Sequence, residues 1–232
     1  MYTHVQNGFL TLEATNGQIV DSSEFFKQRQ IYDSEGGLFQ QTWSGYPTSR
    51  GSESAELGGA FYSGLGGLEI SPPISWAFEP NFLLSFPTEP VHIMRYKDVN
   101  ERMKILYPYF LYDLFGKELD SIPVTDGEKS YWLIPLIIGF DTGDVPWSVG
   151  NPYLRLVGYA LVDTYNGNMQ LLKTGDGFFS ELFAGQYSEQ LIPILDCLEE
   201  QVGSPVEFFN LKTVRYNIYL VTNVVTFIVA NE

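Results

Sequence analysis

Residues 122–140 read IPVTDGEKSYWLIPLIIGF. The Asp126-Gly127 pair stands between two runs of strand-forming residues, which is the signature of a β-hairpin turn. The second run, Trp132 to Phe140, is apolar throughout. A strand with one wet face would alternate, so this one is expected in the middle of a sheet, covered on both faces. The pattern repeats at residues 153–174, YLRLVGYALVDTYNGNMQLLKT, with Asn166-Gly167 at the turn. Residues 7–20, NGFLTLEATNGQIV, carry a third such signal at Asn16-Gly17. The tail, TVRYNIYLVTNVVTFIVANE, is rich in β-branched and aromatic residues and predicts one or two further strands.

Helical patterns fall between these strands. In residues 94–113, MRYKDVNERMKILYPYFLYD, Asp98 is placed to cap a helix and Glu101 stands three residues on. Val99, Met103 and Leu106 make one apolar stripe, with Glu101, Arg102 and Lys104 off it, and Pro108 marks the end. Residues 77–87 bring Phe78, Phe82, Leu83 and Phe86 to helical spacing, which predicts a short core helix. Residues 21–32 predict a helix capped by Asp21 or Ser22. Residues 176–186 predict one capped by Asp176. Residues 192–203 predict one with Pro193 in its first turn and Gly203 at its end. Between Ser34 and Pro73 the chain is Gly/Ser-rich and lacks apolar periodicity. Hairpins with interspersed helices give an α+β fold. Its sheet is mixed or mostly antiparallel, with a few short helices and a long Gly/Ser-rich loop. The expected organisation is one domain over 1–232: a loosely organised part at 1–75, with its long loop at 44–73, and a compact β-rich body at 76–232.

Composition narrows the function. The 44% hydrophobic and 16% aromatic content is that of a folded chain with a sizeable core. Its formal net charge of -15 repels phosphate backbones and argues against nucleic-acid binding. A single cysteine, Cys197, allows no internal disulfide and reads as a small core residue. No run approaches the length of a membrane helix, and no signal peptide precedes "YTHVQNGF". A chain that opens so abruptly is expected to be a fragment with Met1 added at its boundary.

Candidate chemistry is sparse. Asp141-Thr142-Gly143, leaving an apolar strand, spells an aspartic-protease loop. That reaction needs two aspartates sharing a proton. No second such loop exists, and Asp144, Val145, Pro146 and Trp147 follow where small hydroxyl residues belong. The segment reads instead as a polar loop closing a strand. Asp163, Asn166 and Asn168 offer hard oxygens but too few carboxylates for a calcium loop, and a hairpin turn explains them better. His4 and His92 lack a nucleophile or acid in any recognised motif. The glycines of "SGLGGLE" lack the spacing of a phosphate cradle. "SEGG", at 34–37, reads as a turn rather than an anion nest.

Several segments together resemble uncharacterised protein family (UPF) 0182: "YTHVQNGF", "RYKDVNERMKILYPYFLYD", "VTDGEKSYWLIPLI" and "LVGYALVDTYNGNMQLL", in that order. The most specific match is the helix with Asn100, Glu101 and Arg102 and its exit Tyr107-Pro108-Tyr109-Phe110. "DTYNGN" resembles the family's Asp-Ala-Tyr-Asp-Gly turn, and Pro146-Trp147-Ser148 its Pro-Tyr-Ser loop. Val5 and Tyr107 depart from the family's glycine and alanine. The glycine-rich loop is peculiar to this chain. The resemblance is loose over 1–80 and closer from about 82 to 175. It implies the extracytoplasmic soluble domain of a large multi-pass prokaryotic membrane protein, and no catalytic residue.

These readings favour a non-enzymatic extracytoplasmic domain, in a protein that is membrane-embedded at full length. It binds a ligand, an envelope component or a partner subunit, and homo-oligomerisation stays open. The expected binding residues are Asp141, Asp144, Trp147 and Asp163, with no resident metal or cofactor. One alternative is a hydrolase using Asp141 with Asp144 or Asp163. Another is a calcium-stabilised envelope module, whose melting temperature a chelator would lower.

Overall fold

In a computed structural model, residues 10–12, 18–21, 27–40, 43–47, 62–114, 116–140, 153–202, 205–206 and 209 are described. The chain begins with a small antiparallel hairpin, β1 (Leu10–Leu12) and β2 (Ile19–Asp21), with Leu12 opposite Ile19. β3 (Trp43–Pro47), β4 (Leu68–Ile70) and β5 (Val91–Arg95) form a three-stranded antiparallel sheet with β5 in the middle. Two single-turn helices, α1 (Ile74–Phe78) and α2 (Asn81–Ser85), fill the connection from β4 to β5. After β5 come α3 (Val99–Leu106) and a minimal hairpin, β6 (Asp113–Leu114) with β7 (Lys117–Glu118). β8 (Ile122–Thr125), β9 (Ser130–Phe140), β10 (Tyr153–Asp163) and β11 (Met169–Lys173) pair as an antiparallel meander. α4 (Phe178–Gln186) carries the chain back so that β12 (Leu191–Ile192) joins β11 in parallel, and α5 (Asp196–Glu199) follows. The fold is therefore α+β with mostly antiparallel sheets. Among the described residues no helix is long and apolar enough to cross a membrane.

The apolar run of β9 sits where its composition requires, between β8 and β10 in the order β12-β11-β10-β9-β8. Alternate residues point to opposite faces. Trp132, Ile134 and Leu136 pack with Val99, Met103, Phe110 and Phe183 on one face. Leu133 packs with Tyr159, Leu161, Leu172 and Leu198 on the other. Farther along that second face, Ile137 joins Leu114, Leu119 and Leu154. On β10 the register shifts between Leu156 and Gly158, leaving Val157 as the extra residue of a bulge. The bulge reverses the alternation. It sends Val157 to the same core as Ala160 and Val162, and Leu154 to the same face as Tyr159 and Leu161.

The two turns that the sequence predicts, at Asp126-Gly127 and Asn166-Gly167, both form. Asp126 accepts from the Glu128 and Lys129 amides at 2.9 and 2.8 Å, and Gly127 takes φ 88°. The Asp98 cap also forms. Its Oδ1 accepts from the Asn100 and Glu101 amides at 2.9 and 3.1 Å, and its Oδ2 from the Gly36 amide at 2.7 Å. A cap alone is worth about 1 kcal/mol. Here the carboxyl is buried and holds a second loop, so Asp98→Ala is expected to cost about 2 kcal/mol in urea unfolding.

Other local expectations need correction. Asp21 lies in β2 opposite Leu10, and residues 27–32 are not helical. Their amides are used elsewhere: Lys27 and Gln28 donate to the Glu128 carbonyl, and Tyr32 and Asp33 to the Thr164 carbonyl. The single helix expected at 77–87 is instead α2 alone, preceded by α1. Phe82 and Phe86 are buried, while Phe78 and Leu83 are exposed. In α3 the stripe holds at Val99 and Met103, but Leu106 is exposed. The residue before α4 is Gly177, and Asp176 pairs with Lys173 in solvent at 3.4 Å. Cys197 is exposed, because the inward position of the one-turn α5 is taken by Leu198. That helix starts three residues after Pro193. Within the stretch read as irregular, β3 and β4 form strands at its two ends. Residues 48–61, Gly203 and the tail at 210–232 lie outside the described residues.

Candidate functional site

The chain leaves β5 through Arg95, Tyr96 and Lys97 before Asp98 caps α3. Tyr96 takes φ 52°, a left-handed conformation that costs a non-glycine residue on the order of 1 kcal/mol. That bend turns its carbonyl toward Arg102, which donates to it from Nε at 2.8 Å. Arg102 also donates from Nη1 to the Gly167 carbonyl at 2.9 Å and forms an ion pair through Nη2 with Asp33. One guanidinium thus ties together the loop before β3, the exit of β5, α3 and the β10–β11 turn. Gly167 is required at its place. Its φ is 68°, and a Cβ there would meet Asp33 Oδ2 at 2.6 Å and Arg102 Nη1 at 2.7 Å. The Asn-Gly turn that the sequence shows is therefore also the seat of a buried ion pair.

Asp33 is 2% exposed. Burial pushes its carboxyl up to about 6, against the opposing pull of Arg102 and, more weakly, of Lys97. Lys97 is fully buried. Burial brings its ammonium down to about 7, although Asp33 favours the charged form. The Lys97 ammonium donates to the Tyr46 hydroxyl and lies 4.9 Å from the centre of that ring and 5.3 Å from that of Phe39. Tyr46 in turn belongs to a cluster with Tyr32, Tyr62 and Tyr165. Tyr32 meets the other three edge-on at 4.9, 4.7 and 5.3 Å, which joins the small sheet to the end of β10.

Outside this joint lies a cleft of about 430 Å³. Arg95, Arg102, Gly66, Gly67, Met94 and the turn at 166–168 are among its walls, with Asp33 at its back. A volume of that size suits a small ligand. The Asp33 carboxyl is buried and engaged by Arg102. The Gly/Ser-rich strand of the wall is built by protein contacts. The Leu65 amide donates to Asn166 Oδ1 at 2.9 Å, and the Gly66 amide to the Tyr62 hydroxyl at 2.7 Å.

Of the residues singled out in the sequence, Asp163 lies beside this joint. Its carboxyl accepts from the Tyr165 and Asn166 amides at 2.8 and 3.0 Å, from Asn166 Nδ2 at 3.1 Å, and pairs with Lys129 at 3.4 Å. It holds the hairpin turn together, and its side chain is 6% exposed. Asp141, Asp144, Trp147 and His4 lie outside the described residues. His92 sits between the Gly66 carbonyl at 3.1 Å and Glu69 at 3.4 Å, edge-on to Tyr62. The 34–37 turn aims its Gly36 amide at the protein's own Asp98. Among the described residues no group of three or more His, Cys, Asp or Glu could hold a metal ion. Sequence reasoning did not single out Asp33, Arg95 or Lys97, and it met Arg102 only as a polar residue of the predicted helix and through the family resemblance. No window of sequence connects residue 33 to residue 102. Compared with protein-family models, curated proteins and solved structures, the chain has no significant match.

Proposed function

We propose that this chain is a non-enzymatic binding domain of a membrane-embedded protein, facing the extracytoplasmic side, and that the cleft beside β5 takes a small polar ligand such as an envelope component. The observation that supports binding rather than turnover is the state of the cleft's one acid. Asp33 is buried and engaged by Arg102, so the groups left to meet a ligand are guanidinium, amide and backbone groups, which recognise but do not transfer protons at neutral pH. The location is supported by the resemblance carried by Asn100, Glu101, Arg102 and the Tyr107-Pro108-Tyr109-Phe110 exit.

Titrating the 232-residue chain with a panel of neutral sugars, sugar acids, amino sugars and short peptides tests the site. Saturable amide shifts at Gly66, Gly67 and Gly167 are expected, with every ligand recovered intact. Chemical conversion of a panel member, or saturable shifts confined to other parts of the chain, would sink the reading. For location, protease added outside intact cells or spheroplasts is expected to cleave this domain. Full protection until the membrane is opened would refute it.

A further inference from the structure

The charges around the cleft are uneven in a chain of formal net charge -15. Two guanidiniums, Arg95 and Arg102, reach its wall, and the one carboxyl among the lining residues is Asp33. Arg102 has committed Nε, one Nη1 hydrogen and one Nη2 hydrogen to Tyr96, Gly167 and Asp33. Arg95 is exposed at the end of β5, 5.5 Å from the centre of the Tyr96 ring. Among the described residues no carboxyl pairs with it. Taking the two arginines with Asp33, the described lining of the cleft carries one positive charge in excess. That balance fits a monoanion, and the protein's overall negative field opposes a more highly charged ligand.

A guanidinium fork matches the planar two-oxygen edge of a carboxylate. The rest of the wall supplies peptide and amide groups at 166–168 and the Gly66-Gly67 backbone, with Met94 as an apolar contact. From this we infer that the cleft selects a small monocarboxylate rich in hydrogen-bonding groups, of the sugar-acid class, with Arg95 gripping its carboxylate. The inference rests on the cleft being the binding site and adds the class of ligand. Arg95 positions the ligand, and its exposure means that a substitution there leaves the buried joint intact.

The test uses the full chain with three probes that share one ring: glucuronate, glucose and glucose 6-phosphate. Glucuronate is expected to shift the Gly66, Gly67 and Gly167 amides saturably and to bind at least tenfold more tightly than either other probe. Arg95→Gln is expected to weaken glucuronate binding at least tenfold while leaving the melting temperature unchanged. Glucose binding as tightly as glucuronate, tighter binding of glucose 6-phosphate, or full affinity in Arg95→Gln would each overturn the inference. In those cases the cleft would still be a binding site, because the same amides report on it. Glucuronate leaving those amides unmoved also overturns the sugar-acid assignment, and the wider panel then decides separately whether the cleft binds anything.

Discussion

Arg102→Met is expected to destabilise the chain by about 3–5 kcal/mol at pH 8, the usual consequence of removing one partner from a buried ion pair. The substitution leaves Asp33 buried without its principal cation and deprives the Tyr96 and Gly167 carbonyls of a donor. The loss should depend on pH, and its sign follows from Asp33. Its folded-state value of about 6 lies above the ordinary 3.8. Its favourable contribution is therefore complete below 3.8 and is lost as pH rises through about 6. Without Arg102 the carboxyl is pushed higher still, so the variant should be least impaired in acid and most impaired above neutrality. Urea unfolding at pH 5 and pH 8 measures this. Adding Asp33→Asn to the variant should recover part of the loss at pH 8, where the uncompensated charge is removed. A defect under 1 kcal/mol, or one equal at both pH values, would show that the ion pair does not organise the joint.

Lys97→Met is expected to do the opposite and stabilise the chain. Lys97 is fully buried, and its fall from 10.5 to about 7, driven first by burial and opposed by Asp33, is a net penalty on the charged form on the order of a few kcal/mol at about 1.4 kcal/mol per pK unit. Methionine, one atom shorter, keeps an unbranched flexible side chain without the charge. The change gives up the bond to the Tyr46 hydroxyl, worth about 1 kcal/mol. Asp33 also loses a neighbouring cation, which matters little at pH 5, where Asp33 itself is mostly protonated. A net gain on the order of 1–3 kcal/mol is expected at pH 5. A lysine with a depressed folded-state value contributes its stability above 10.5 and loses it as pH falls through about 7. The gain from Lys97→Met should therefore be full below pH 7 and shrink as pH rises toward 10.5. Melting curves at pH 5 and pH 9 give the comparison. Destabilisation at pH 5 would mean that the ammonium holds the tyrosine cluster together by more than its burial costs.

The two substitutions separate the roles of neighbouring cations. Arg102 answers three acceptors at once, the buried Asp33 carboxyl among them, so its removal leaves that charge without its cation. Lys97 meets the Tyr46 hydroxyl and the Tyr46 and Phe39 ring faces, neutral groups that return less to a buried charge than a paired carboxylate does.

How much of this could be read from the chain alone follows the range of each interaction. The Asp126-Gly127 and Asn166-Gly167 turns and the Asp98 cap close on hydrogen bonds within a few residues, and the two-faced burial of β9 is announced by an unbroken apolar run, so their spelling sufficed. The bulge at Val157, the exposure of Cys197 and the failure of a helix at 27–32 were hidden. For the failed helix, the Glu128 and Thr164 carbonyls take the amides of residues 27, 28, 32 and 33; for Cys197, packing of Leu198 against the distant Leu133, Tyr159 and Leu172 sets which side of α5 faces inward. The candidate site belongs wholly to this second kind. The sequence singled out Asp163 for its oxygens, and the fold spends them on the turn's own amides. The sequence offered Asn166-Gly167 as a turn and nothing more. Only packing brings Asp33, 69 residues from Arg102 in the chain, against that turn. Local propensity is written in neighbouring residues, whereas the energy of a buried charge depends on whatever the whole chain folds around it.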